Sequence, residues 1–195
     1  MIKVGITGGI GSGKSMICRV FSCLGVPVYH ADFEAKILTN TDSGIRKSLI
    51  DLLGEDIYSG ASLDRQKMAS LIFNNSGLLH QVNQIIHPKV AAHFLNWSAN
   101  HSNHRYIIQE SALLFESNTY GLFDRIVMIA SPEEIRMKRV IRREGMTVET
   151  VTSIMQNQMP EEEKVSRSHH VIINDENTLV LPQILKLHAI LAAAE

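Results

Sequence analysis

The chain has 195 residues, 45% of them hydrophobic and 20% charged, with 12 Gly and 5 Pro, proportions that exclude a disordered, collagen-like or disulfide-stapled protein. Lys plus Arg number 19 against 20 Asp plus Glu, a net charge of −1, so no global field draws in nucleic acid or a membrane and any anion site must be local. Cys18 and Cys23 fit neither a zinc pair nor a disulfide framework and are expected reduced and packed; with no secretory cleavage site and no apolar run near the ~18 residues of a membrane span, a soluble cytoplasmic protein is expected.

From Ile2 to Thr7 the residues are short, β-branched and apolar, which predicts a strand. A glycine-rich loop follows, and Ile17, Val20, Phe21 and Leu24 then recur at helical spacing over Lys14 to Leu24, with Gly25 as the expected C-cap. Val26 to Tyr29 predicts a second short strand ending at His30-Ala31-Asp32. Between Phe33 and Asn103 the apolar residues recur at helical intervals throughout, which predicts a helical insertion. Tyr106 to Gln109, Arg125 to Ile129 and Val171 to Ile173 read as buried strands, and strands alternating with helices imply a parallel sheet. Pro132 opens a charged helix to about Gly145, and Thr147 opens another reaching Gln158. Glu161-Glu162-Glu163 reads as a solvated first turn after Pro160, and an amphipathic helix from Leu179 to Ala194 closes the chain.

Gly8-Gly9-Ile10-Gly11-Ser12-Gly13-Lys14-Ser15 satisfies G-x-x-x-x-G-K-[ST] between a predicted strand and a predicted helix, the context this phosphate-binding motif requires. Its glycines turn successive N–H groups inward, and the helix start adds its positive dipole end. Lys14 is placed to reach the β- and γ-phosphates, so its removal is expected to cost turnover and leave stability nearly unchanged. Ser15 supplies a hydroxyl for Mg²⁺. These features imply a nucleoside triphosphate and Mg²⁺, without naming the reaction.

A GTPase switch is the rival reading, and Asp51-Leu52-Leu53-Gly54 offers it a formal D-x-x-G. That Asp falls inside a helical pattern, and no N-K-x-D tetrad exists. A kinase needs a carboxylate beside the phosphate loop to orient an acceptor hydroxyl, and Asp32, at a predicted strand end, is the first candidate. Glu110 is the second, for the metal's water shell or for the acceptor. Arg136, Arg139 and Arg143 share one face of their helix, suited to lowering guanidinium groups onto transferring phosphoryl oxygens.

Together these segments resemble the dephospho-CoA kinase family over nearly the whole chain. The matching stretches are Ile6 through Ser15, Ala31-Asp32, Gly60 through Leu63-Asp64-Arg65, Ile86-His87-Pro88, Leu113-Leu114-Phe115-Glu116, Arg139 with Arg143, Gln158, and Val171-Ile172 with Asn174. The resemblance implies an α/β, three-layer P-loop NTPase core with a five-stranded parallel sheet, a helical substrate-binding insertion and a small helical lid. Core residues would be 1–32, 104–131 and 168–195, the CoA-substrate insertion 33–103 and the lid 132–167. ATP would phosphorylate the ribose 3′-hydroxyl of dephospho-CoA, the final step of coenzyme A synthesis; another small-molecule or nucleoside monophosphate P-loop kinase is the alternative.

By motif position the resemblance makes Asp32 the base, with Lys14 and Arg139 also catalytic. Gly11, Ser12, Gly13, Lys14, Ser15, Met16, Arg139 and Asn174 would hold ATP, and Ser15 the metal. Thr7, Asp32, Arg65, His87 and Glu110 would face the acceptor. A small-molecule partner, no nucleic acid, no membrane, and a monomer or weak homo-oligomer are expected. The chain departs from the family pattern at His30, where the family has a first Asp, at Met16 for Thr, at Ala112 for Pro, and at Arg136 for a lid Gln, so less is expected of Arg136 than of Arg139.

Overall fold

A computed structural model describes residues 1–73 and 75–193. The chain divides into two compact units, one of residues 1–30 with 98–195 and one of Ala31–Trp97.

The first unit is built on five parallel strands: β1 (Ile2–Thr7), β2 (Val28–His30), β5 (Tyr106–Glu110), β6 (Arg125–Ala130) and β7 (His170–Ile173), in the order β2-β5-β1-β6-β7. β1 therefore lies at the centre, and its carboxyl end delivers the glycine loop into the crevice side of the sheet. One face carries Val4, Ile6, Ile108, Val127 and Ile129, packed against Ile17 and Phe21 of α1 (Lys14–Cys23) and Ile184 and Leu187 of α9 (Val180–Ala193). Burial of each such side chain contributes about 1.5–3 kcal/mol. On the other face Gly5 is dictated by packing, because a Cβ there would lie 2.5 Å from Leu114 Cδ1.

The remaining helices of this unit are α6 (Glu133–Glu144), α7 (Val148–Gln156) and α8 (Glu161–Ser166). In α6, Glu133 and Glu134 occupy the first turn and Arg142 and Arg143 the last, matching the helix dipole, and Gly145 ends it at φ 64°. Two expectations change here. Val171 and Ile173 are 40% and 44% exposed because β7 is an edge strand, with only Ile172 buried. Cys18 is packed as expected, whereas Cys23 is exposed. The closing helix begins at Val180, and Ala194 lies outside the described residues.

The second unit contains α2 (Ala31–Thr41), α3 (Ser43–Leu53), α4 (Arg65–Ile72) and most of α5 (Ser76–Ala99). Asp42 and Asp64 cap α3 and α4 through bonds to Ile45 N and Lys67 N. Asp51 is helical, in α3, which removes the switch reading. The unit is not wholly helical, since β3 (Tyr58–Ser59) and β4 (Ser62–Leu63) form a short antiparallel hairpin. Its core gathers Ile45, Leu49, Ile57, Tyr58, Leu63 and Val82. His87-Pro88 lies inside α5, where the proline withdraws one backbone donor without ending the helix.

Candidate active site

In the first unit the loop turns at Gly11 (φ 79°) and Gly13 (φ 93°), and Gly13 is the N-cap of α1 with no side chain capping it. The first-turn N–H groups of α1 are thus left to face the loop's concavity, which is what an anion requires. Lys14 is 8% exposed, and its Nζ donates to the carbonyl oxygens of Gly8 (2.9 Å) and Gly9 (3.0 Å). The Ser15 hydroxyl donates to Glu110 Oε1 at 2.7 Å, and Glu110 Oε2 pairs with His30 Nδ1. This chain of contacts follows from register: Glu110 lies opposite both His30 of β2 and Ile6 of β1 at the carboxyl ends of the strands. Cys18, beneath the loop, has its thiol pKa pushed up by burial and by the Glu110 charge, so it is a packing group and not a nucleophile.

Helix α6 bears directly on the loop. A Cβ at Gly9 would lie 2.1 Å from Arg136 Nη1, and one at Gly11 would lie 2.4 Å from the Arg136 carbonyl oxygen and 2.9 Å from Val140 Cγ2. Gly11 is therefore required by close approach as well as by dihedral angle, and Gly9 by close approach alone. Arg139 Nη1 reaches Ser131 Oγ (3.3 Å) and Gly11 O (3.5 Å), while its Nη2 donates to Asn174 O (3.3 Å). Asn174 Nδ2 in turn donates to Ser12 O at 2.7 Å. Arg139 and Asn174 are thus both brought to the loop. Thr7 and Ser12 are fully buried, and their hydroxyls have no hydrogen-bond partner among the described residues. Met16 is 49% exposed on α1.

By sequence, Arg136 ranks below Arg139, Glu161 reads as solvated, and Lys164 carries no assigned role. Arg136 is buried; its Nε donates to Ser131 O at 2.9 Å and lies 3.6 Å from Glu161 Oε2. Glu161 is accordingly only partly solvated, its side chain 29% exposed, and burial raises its carboxyl pKa, partly opposed by Arg136. Lys164 is 1% exposed and donates to Glu116 Oε1 (2.7 Å) and Ala112 O (3.1 Å). The same Glu116 oxygen accepts Met159 N–H at 2.9 Å, and Gln158 Oε1 accepts the loop's Ile10 N–H at 3.0 Å. Gly9, Met128, Arg136, Gln158, Met159 and Lys164 line a cavity of about 470 Å³ beside the loop.

In the second unit Asp32 is exposed and is the second residue of α2, since the helix begins at Ala31 directly after β2; it is not a strand end. Arg65 opens α4 and donates to Lys36 O (3.0 Å) and Thr39 Oγ1 (3.2 Å). His87 is half-buried in α5, which lowers its pKa. Phe94 is fully buried core, whereas Phe73 is 56% exposed.

Beside the loop the donors at Ser15 and Glu110 are oxygens, the set a hard divalent cation takes when phosphates and water complete its shell. Among the described residues no three His, Cys, Asp or Glu side chains are grouped as a self-sufficient metal cage. No described helix is long and apolar enough to cross a membrane.

A dephospho-CoA kinase family profile matches residues 2–179. A Bacteroides fragilis dephospho-CoA kinase is 45% identical over 97% of this chain and 93% of its own length. One from Porphyromonas gingivalis is 38% identical over 96% and 93%. Among solved structures, a Thermus thermophilus protein superposes with a TM-score of 0.83 at 32% identity, covering 100% of this chain and 98% of its own. A shikimate kinase from Acinetobacter baumannii, at a TM-score of 0.55 and 14% identity over 97% and 92%, shares the fold alone.

Proposed function

This chain belongs to the dephospho-CoA kinase family, and from that premise we propose that it transfers the γ-phosphoryl group of ATP to the ribose 3′-hydroxyl of dephospho-CoA, giving coenzyme A and ADP. The observation that carries this reading is the end-to-end match to a dephospho-CoA kinase at 45% identity. The loop agrees with it, since a buried lysine, a helix start with no side-chain cap and a serine hydroxyl follow one another directly after the glycines.

In this reading backbone N–H groups from Gly11 to Met16 hold the ATP phosphates. Lys14 exchanges its bonds to the Gly8 and Gly9 carbonyls for phosphate oxygens. Arg139, anchored on Ser131 and Asn174, directs a guanidinium at the group in transit, and Asn174 lies toward the adenine. Ser15 would ligate Mg²⁺, with Glu110 accepting the hydroxyl proton; when bound, the ion neutralises charge between β- and γ-oxygens. Asp32 accepts the 3′-hydroxyl proton as that oxygen bonds to γ-phosphorus and the bond from γ-phosphorus to the β-bridging oxygen breaks, releasing ADP. Thr7, Arg65 and His87 serve the acceptor. The protein would act in the cytoplasm on a small molecule, as a monomer or weak homo-oligomer, without nucleic acid or membrane.

The test is steady-state ADP release with dephospho-CoA, adenosine and shikimate as competing acceptors. A kcat/KM for dephospho-CoA at least 10³-fold above the others is expected. For the base, Asp32→Asn should lower kcat roughly 10²-fold or more with Mg·ATP affinity little changed, whereas a metal role would weaken Mg²⁺ binding instead.

A further inference from the structure

We propose that His30 is a positioning residue for the metal side of the phosphate loop, acting through Glu110 on the Ser15 hydroxyl. The inference rests on the reading of Ser15 as a Mg²⁺ ligand. A serine oxygen that ligates a cation must turn a lone pair toward it and send its proton elsewhere. Glu110 Oε1 receives that proton at 2.7 Å. An ionised carboxylate accepts only, so the contact of its other oxygen with His30 Nδ1 requires the imidazole to carry the proton on that nitrogen.

The three groups thus form one directed series, His30 Nδ1–H to Glu110 to Ser15 O–H, set on adjacent strand ends by the His30–Glu110 register. Glu110 is 12% exposed at its side chain, so its orientation is fixed by these two partners more than by water. His30 is 43% exposed, and its ring contributes little to the core, which separates its hydrogen bond from any packing role. Outer partners of this kind typically change metal affinity by about 10- to 100-fold when removed.

Two substitutions divide the possibilities. His30→Phe keeps the ring and removes the donor; His30→Asn keeps a donor close to the Nδ1 position and removes the ring. ADP affinity is measured calorimetrically with and without Mg²⁺ for the parent, both variants, Glu110→Gln and the His30→Phe/Glu110→Gln pair. The expected result is a Mg²⁺-dependent gain in ADP affinity that falls about tenfold in His30→Phe and stays within about threefold of the parent in His30→Asn. Affinity without Mg²⁺ should be unchanged in both, and His30→Phe should add nothing once Glu110→Gln is present. The proposal is overturned if His30→Phe retains the full Mg²⁺ gain, if His30→Asn loses as much as His30→Phe, or if affinity falls equally without Mg²⁺. A parent protein with no Mg²⁺ gain at all would instead overturn the Ser15 reading, and this inference with it.

Discussion

Replacing Gly11 by Ala probes whether α6 sets the shape of the phosphate loop. At φ 79° an alanine pays about 1–2 kcal/mol for the left-handed conformation alone. Its Cβ would also lie 2.4 Å from the Arg136 carbonyl oxygen, so loop and helix must part by about 1 Å to restore an ordinary contact, an overpacking cost of about 1–3 kcal/mol. The total, about 2–5 kcal/mol, corresponds to a melting temperature lower by roughly 5–15 °C in a chain of this size. Gly25→Ala supplies the control, because Gly25 has φ 82° with nothing within 4 Å of its Cβ position and should show the conformational cost only. Urea unfolding of both variants gives the two values, and ATP titration of Gly11→Ala should show weakened binding, since a 1 Å displacement of catalytic groups can cost about 10²-fold. Equal destabilisation of the two variants would refute the contact between α6 and the loop.

Lys14→Ala should lower kcat by about 10²–10³-fold in the same acceptor assay; against the nearly unchanged stability expected from sequence, unfolding should show a loss of about 1–3 kcal/mol, because two carbonyl bonds to a buried ammonium go with it. Arg139→Ala should reduce kcat more than it raises KM for dephospho-CoA; a change of only a few tenths of a kcal/mol in kcat/KM would make it a surface charge. Lys164→Met should destabilise by about 3–5 kcal/mol in urea by stranding Glu116, with part recovered in Lys164→Met/Glu116→Gln; additive effects would contradict the pairing. Asp42→Ala should cost about 1 kcal/mol at neutral pH through loss of the cap on α3. The bond from Ile45 N–H holds the Asp42 pKa below its ordinary value. The stability it adds is therefore complete above the ordinary carboxylate pKa and is lost as pH falls through the lowered one, so parent and variant should converge in acid.

Sequence revealed most where one local rule dominates. The strand, glycine loop and α1 were legible because β-branched residues, glycines and Lys14-Ser15 occur consecutively. Asp32 was misplaced because α2 starts without any connecting loop, and no periodicity marks such a boundary. β7 looked buried because an apolar run does not distinguish a central from an edge strand. The His30–Glu110 and Lys164–Glu116 pairs depend on register and packing between distant segments, so neither pair was legible in the sequence. Arg136 shares a helix face with the exposed Arg143, and its burial against Gly9 and Ser131 depends on packing between distant segments that the sequence does not display.

The most direct measurement is mass spectrometry with ³¹P–¹H correlation of the product formed from ATP, Mg²⁺ and dephospho-CoA, run beside the Lys14→Ala variant. The account predicts one added phosphate, correlated to the ribose 3′-proton, formed by the parent and nearly absent with the variant. A phosphate at any other position, or equal product from Lys14→Ala, would contradict it.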